Sequence, residues 1–459
     1  MRLAPTVLSS AALASAVLAL LSMSARAQDT RSVAEPVVPA VCAVVPALLR
    51  APLSAAEESR LDTDRIQQAL DHCPRGQAVA LRAVGGNNAL LTGPLQLRTG
   101  VTLLVDRGVT LFASRDAALY ATVPGGCGVV TQQRAHNCRP LIAADHVEGA
   151  AIMGEGAIDG RGGATILGKD VSWWQLAEQA RAGGSQQVPR ILVAEHANNL
   201  TLYRITLRNS PNFHVVFNHG DGLTVWGVTI DTPQRLARNT DGIDPGGSRN
   251  ITITHSYIRT GDDNVAIKGG DPITNVTISH NHFYWGHGMS IGSETNGGVS
   301  KVRVYDLSLD GPDSGIRIKS MGTRGGIVQD VVYDDVCVRN SPRPIDLSAA
   351  YAANGAVLGN SPPTFRDITL HNVRVSGGGR ILFDGYDATH RVSVRLDGVQ
   401  LTDAASARYS FTVNHADLVL GPGASNLVLP AGTDSTRVGS PVEAVEESCA
   451  AKFLAFPVD

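Results

Sequence analysis

The amino-acid sequence predicts an all-β fold, a single-domain right-handed parallel β-helix with an N-terminal capping α-helix. Three observations carry this expectation. A short polar/apolar alternation returns as Asn199-Leu-Thr-Leu202, Gly222-Leu-Thr-Val225, Asn250-Ile-Thr-Ile253, Asn275-Val-Thr-Ile278 and Lys301-Val-Arg-Val304, with looser copies at Asp330–Tyr333, Asp367–Leu370 and Arg391–Val394. From Asn199 to Asp330 the copies lie 23 to 29 residues apart. Each is rich in Val, Ile and Thr at period two, bounded by turn residues, and too short to bury its apolar face unless neighbours stack. Gly supplies 48 of 459 residues and aromatics only 5%, a balance that suits many tight turns between short strands. A leucine-rich horseshoe would need a Leu-x-x-Leu-x-Leu frame with helical backs, and that frame is absent.

From the N-terminus, Arg2 precedes an apolar run from about Val7 to Leu21, followed by Ala25-Arg26-Ala27. Residues 1–27 read as a secretory signal peptide, because the run is shorter than the roughly 20 apolar residues of a membrane span. Residues 28–459 are then expected to form one β-helix domain, exported and without a membrane anchor. Asp62–Cys73 is the clearest helix: Asp62 or Thr63 can cap it, and Ile66, Ala69 and Leu70 fall on one face. It is expected to lid the first coil. A second helical patch, Trp173–Ala180, is expected to pack outside the coil.

All six cysteines lie beyond residue 27, and an even number in an exported chain favours disulfides. The sequence-local pairs are Cys42–Cys73 and Cys127–Cys138, leaving Cys337 and Cys449 to pair or stay free. No C-x-x-C or H-x-x-H spacing suggests a structural metal. Lys and Arg number 39 against 42 Asp and Glu, and losing Arg2 and Arg26 makes the balance still more negative. That excludes the basic face of a nucleic-acid binder. Hydrophobic content of 43% excludes global disorder.

Four polar clusters fall in successive repeats: Asn239-Thr-Asp-Gly-Ile-Asp244, Gly261-Asp-Asp-Asn264, Gly286-His-Gly288 and Arg317-Ile-Lys319. Steps of 21, 25 and 30 residues separate Asp241, Asp262, His287 and Arg317. Each is about one coil, so these side chains are expected to stack along one face at roughly 4.8 Å per coil. Arg317 and Lys319 share a face, with Ile316 and Ile318 pointing inward. Any one cluster could be turn chemistry, and Asp244 reads equally well that way. Three carboxylates, an imidazole and two cations on one strip demand more, since crowded like charges cost energy. Adjacent carboxylates suit glycoside hydrolysis: mutual repulsion keeps one protonated as the acid while others activate water. Arg317 and Lys319 suit an anionic sugar. Gly286 and Gly288 are expected to clear room for a sugar ring beside His287. The residues alone point to hydrolysis of a uronic-acid polymer.

These four motifs, with Leu91-Thr-Gly-Pro94, Asn209-Ser-Pro-Asn-Phe-His214 and Gly286-His-Gly-Met-Ser-Ile-Gly-Ser-Glu294, resemble the polygalacturonases of glycoside hydrolase family 28. The resemblance covers nearly all of the chain after residue 27 and is strongest to secreted endo-acting enzymes of plant-rotting bacteria. It implies an inverting hydrolase of polygalacturonate that works as a monomer without metal or cofactor. By resemblance, Asp262 protonates the leaving oxygen, Asp241 and Asp263 orient the attacking water, and His287 supports the acid. Arg317 and Lys319 would bind galacturonate carboxylate, Asn239 would contact substrate, and Tyr351 is the substrate-contacting tyrosine. The Gly-His-Gly histidine points to homogalacturonan rather than rhamnogalacturonan.

One departure stands out. Many relatives have a Cys after the Asp-Asp pair, bonded to a Cys just before Gly-His-Gly. Here Asn264 and the Phe283–Trp285 stretch hold those places. Two other readings compete: a pectate lyase, whose carboxylates would hold calcium, and a non-catalytic carbohydrate-binding β-helix. Endo or exo action is left open by the sequence.

Overall fold

The computed structural model describes residues 28–132, 135–352, 359–403, 408–440 and 449–458. The expected signal peptide, 1–27, lies outside the described residues. The chain winds as a right-handed parallel β-helix, as the repeats predict. A central coil contributes three strands: Asn198–Tyr203, Thr206–Arg208 and Val215–Asn218. The next coil repeats them as Asp221–Trp226, Thr229–Asp231 and Ile243–Gly246. Further on, the first two strands fuse into long bent strands such as Ile273–Phe283 and Val299–Asp310.

The repeat visible in the sequence is one ladder of the coil. Leu200, Leu223, Ile251, Val276, Val302, Val331, Ile368 and Val394 are consecutive register partners. All are at most 1% exposed, and burying such a side chain contributes about 1.5–3 kcal/mol. The leading residue of a copy has a separate job. Asn199, Asn250, Asn275, Lys301, Asp330 and Asp367 all have φ between 50° and 60°, a left-handed corner at which the chain turns into the strand. Asn and Asp tolerate that geometry better than most residues, so polarity at this place marks a turn.

Thr63–His72 forms the expected cap, with Ile66 and Leu70 buried against the first coils. Asp62 stands at its N-cap position, yet its carboxylate does not cap the helix. Instead it accepts from the Leu91 amide at 3.1 Å and pairs with Arg65, tying the helix to the coil beneath. Cys42–Cys73 pins the end of the same helix to the first strand. Trp173–Ala180 is a helix outside the coil, with Trp173 buried edge-on to Tyr120 at 6.2 Å. Beside it, Ser185–Gln187 pairs antiparallel with Val129–Thr131, and Cys127–Cys138 staples that loop.

Cys337 and Cys449 also pair, across 112 residues. The bond draws segment 449–458 back over the coil, where Phe456 packs on Tyr284 and under the Arg259 guanidinium. Closing so long a loop restricts the unfolded chain, which is typically worth 2–4 kcal/mol. Cys449→Ser should therefore lower unfolding free energy in urea by about that amount while the β-sheet circular dichroism stays unchanged. An unshifted midpoint would mean that the segment's packing, not the bond, holds it in place.

Candidate active site

An eleven-stranded parallel sheet runs along one side of the coil, from Leu95–Gln96 to Tyr409–Asn414. At its middle, Ile243, Val265, Met289 and Ile316 are successive register partners, all buried. The polar motifs sit where each loop enters this sheet. Asp241, Asp263 and His287 each lie two residues ahead of a partner in that ladder, so the aligned trio is Asp241, Asp263 and His287. The expected stack of Asp241, Asp262, His287 and Arg317 is corrected accordingly. Asp262 stands beside the trio, and Arg317 belongs one strand further on.

Asp263 is 1% exposed and fully engaged. Ser290 Oγ donates to its Oδ1 at 2.7 Å, Arg317 Nη1 approaches the same oxygen at 3.3 Å, and Lys319 Nζ donates to Oδ2 at 2.7 Å. Both cations reach past an intervening strand to make these contacts. They can do so because their register partners there are Ser290 and Gly292. Burial opposes ionisation of Asp263, but Lys319 and Arg317 overcome it and hold its pKa well below the usual carboxylate range. Two cations expected to face substrate thus also neutralise this carboxylate.

Asp262 is the carboxylate open to the cleft, its side chain 18% exposed against 4% for Asp241 and 3% for Asp244. Its Oδ1 accepts from His287 Nδ1 at 3.0 Å and from the Asp263 amide at 2.9 Å, while Asn239 Nδ2 lies 3.3 Å from Oδ2. His287 Nε2 faces Asp313 Oδ2 at 3.3 Å. Burial disfavours the imidazolium, yet the bonds to Asp262 and Asp313 raise the His287 pKa to about 10. Burial pushes Asp262 up, and His287 outweighs it, leaving Asp262 below its ordinary value. This pair therefore keeps its proton on the imidazole.

Ionisation is opposed instead at a different pair, and there burial rather than repulsion is the main cause. Burial first, then the Asp244 and Asp262 charges, push Asp241 well above its ordinary value. Asp244 sits inside a strand rather than a turn, and burial carries it to about 7 against the pull of Lys268. Lys268 Nζ lies 3.5 Å from Asp241 Oδ2 and 3.7 Å from Asp244 Oδ2. Asp241 Oδ1 and both Asp244 oxygens have no hydrogen-bond partner among the described residues. His214 holds Asp241 from the preceding coil: its backbone N–H and its Nδ1 both donate to the Asp241 carbonyl, at 2.8 and 2.9 Å. Burial drops the His214 pKa to about 4, so it works as a neutral donor.

The sequence reading missed Lys268, although its signal was present. Val265-Ala-Ile-Lys268 and Ile316-Arg-Ile-Lys319 share a pattern, and both lysines lie three residues past the same ladder. Tyr351 does reach the site, its ring 5.3 Å from the Arg317 guanidinium and 5.7 Å from Lys319 Nζ. Gly286 and Gly288 are not there to admit a sugar ring. A Cβ at Gly286 would lie 2.7 Å from the Asp262 carbonyl, and one at Gly288 would lie 2.0 Å from the Ser314 carbonyl. Both also have positive φ, so tight coil packing demands glycine there.

Among the described residues, Glu195 with His196 and His219, and Asp262 with Asp263 and His287, bring possible metal-ligating atoms within 4.8 Å of one another. In the second group the carboxylates already hold His287, Arg317 and Lys319, so a divalent cation would have to enter against three positive charges.

Lys268 stabilises the ionised forms of its two partners, so its removal must raise their pKa values. Carbon-13 NMR titration of the side-chain carboxyls should show Asp244 titrating near 7, and Lys268→Met should move that midpoint upward. A midpoint that stays where it was would show that Lys268 does not govern the pair.

Comparison with known proteins agrees with this geometry. An endo-polygalacturonase of Pectobacterium carotovorum subsp. carotovorum is 43% identical over 390 residues, covering 84% of this chain and 93% of the relative. A polygalacturonase of Ralstonia nicotianae is 37% identical, covering 96% of both chains. The solved structure of a polygalacturonase from Erwinia carotovora ssp. carotovora superposes with a TM-score of 0.77 at 40% identity, covering 85% of this chain and all of that one. Residues 81–417 match the glycosyl hydrolases family 28, and the chain belongs to that family.

Proposed function

We propose that the protein is a secreted, endo-acting polygalacturonase, degrading pectin by hydrolysing the α-1,4-galacturonosidic bonds of polygalacturonate with inversion of configuration. The observation that carries this reading is the Asp262–His287 pair. It puts a carboxyl at the cleft surface, hydrogen-bonded to an imidazole that holds a proton at neutral pH. A uronate carboxylate arriving at Arg317 and Lys319 adds negative charge beside Asp262. Like charge raises a carboxyl pKa, so substrate itself draws the proton from His287 towards Asp262, which passes it to the leaving glycosidic oxygen. Asp241, whose Oδ1 has no hydrogen-bond partner among the described residues, orients the attacking water and takes its proton in the ionised form, the form that Lys268 favours. Asp263 anchors Lys319 and Arg317 and sets the local field. Three donors already engage its two oxygens, so it serves the water less directly than Asp241 does.

The naming of the Pectobacterium relative as an endo-polygalacturonase supports internal cleavage. So does the placement of cationic groups on both sides of the carboxylates, Arg317 and Lys319 on one and Arg190 on the other. Three disulfides suit an oxidising compartment and so support export.

Asp262→Asn keeps shape and removes the exchangeable proton. Turnover on polygalacturonate should fall by about 10²–10⁴-fold or more with folding intact. A variant at half the original rate would remove Asp262 from the chemistry. Proton NMR of the first products should show a reducing end of opposite anomeric configuration to the cleaved bond. Retention would require a carboxylate nucleophile and overturn the water-activating role of Asp241.

A further inference from the structure

A cavity of about 530 Å³ lies beside the coils that precede the carboxylates, on the side away from Arg317. That volume lies within the range of about 300–1,000 Å³ typical of small-molecule sites. Asn239 joins it to the catalytic centre, lining the cavity while its amide lies 3.3 Å from Asp262. Its other walls stand outside the coil: the Cys127–Cys138 loop, the end of the Trp173–Ala180 helix and the Ser185–Gln187 strand. The lining is one-sided in charge. It contains Arg190, Arg238 and His136 and no Asp or Glu.

Arg190 is the informative member. Its guanidinium is half-buried, lies 4.9 Å over the Phe213 ring, and makes one side-chain hydrogen bond, from Nε to Asn212 Oδ1 at 3.2 Å. Among the described residues no carboxylate stands within ion-pair distance of Arg190 or Arg238, whereas most other arginines of the coil are paired. Holding a guanidinium out of water without a counter-ion costs energy, and the terminal nitrogens present the fork that a carboxylate fits. Arg190 stands at the entry to a coil strand, and the wall facing it is stapled by a disulfide and a β-pair, so both sides are held in place before anything binds.

We infer that this cavity is a second carboxylate-binding subsite, in which Arg190 clamps the uronate of a galacturonosyl unit next to the bond that is cut, with Arg238 adding positive charge at its rim. The inference rests on the polyuronate reading and extends it to a named position. It assigns the chain a cation on each side of the carboxylates, so a substrate is gripped through at least two uronates. The alternative role for Arg190 is a remote counter-charge to Asp244, a positioning role that would change the pH dependence of turnover but not which bond is cut.

The test uses Arg190→Gln and, as a second variant at the same wall, Arg238→Gln, each checked for an unchanged melting transition. On pentagalacturonate, Arg190→Gln should lower kcat/KM by roughly 10- to 100-fold. The loss should fall mainly in KM, with an altered distribution of product lengths. Arg190→Lys should recover part of the loss. Calorimetric binding of trigalacturonate to the Asp262→Asn protein should weaken by a similar factor on adding Arg190→Gln. Binding of the carboxyl-reduced, neutral trisaccharide should not change. Wild-type products and affinity in both arginine variants would overturn the subsite, and so would a shifted pH profile with unchanged KM. Binding through Arg190 without any cleavage by the wild type would instead keep the subsite and sink the hydrolase reading.

Discussion

The register of four neighbouring strands governs the rest of this molecule. Ile243, Val265, Met289 and Ile316 lie beneath one another in the coil, and their burial fixes which residues ahead of and behind them face the cleft. Adjacent strands are about 4.8 Å apart, so residues with equal offsets in separate repeats meet as near neighbours. A slip of one residue would exchange inward and outward faces and scatter the charges. The apolar ladder is therefore a condition of the chemistry as much as of stability.

That geometry forces four carboxylates into one small region, Asp241, Asp244, Asp262 and Asp263. The fold answers with four cationic groups: His287, Lys268, Arg317 and Lys319. The division is uneven. Asp263, with two dedicated cations, is ionised under all ordinary conditions, whereas Asp241 and Asp244 share one lysine and rise. Asp262 lies between these extremes, coupled to an imidazole that titrates near 10. Residues of one chemical type thus acquire different protonation through the number of cations each can reach, which depends on their place in the stack.

Much of this was legible in the sequence because a solenoid converts sequence intervals into spatial ones. The motifs Asn250–Ile253 and Asn275–Ile278 announced both the strand and the coil length, and the stacked motifs announced a cluster. What was not legible depends on offsets of one or two residues. Spacing alone placed Asp262 in the trio where Asp263 stands, since loops entering the sheet need not be of equal length. The role of Gly286 and Gly288 follows from carbonyls of other coils, which no local pattern reveals. Asp244 sits in a segment with Pro and Gly that reads as a turn and is in fact a strand. Arg190 lies two residues ahead of Leu192 in the same ladder as Ile243, the offset of Asp241 and Asp263, but no polar motif of the kind seen in the later coils marks it.

The place of the missing cysteines shows which feature the site requires. Asn264 is fully buried and spans the same gap by hydrogen bonds: its Nδ2 donates to the Trp285 carbonyl at 2.9 Å and to the Ile258 carbonyl at 3.1 Å, and its Oδ1 accepts from the Gly288 amide at 3.0 Å. Each such bond is worth only about 1 kcal/mol net, less than a disulfide, which acts mostly on the unfolded chain. Trp285 and Gly288 flank the His287 loop, so Asn264 ties that loop to the one carrying Asp262 and Asp263. The His287–Asp262 contact at 3.0 Å then follows from a fixed separation of two backbones. Here a buried amide supplies that separation without any covalent link, and the carboxylates keep their positions on either side of it.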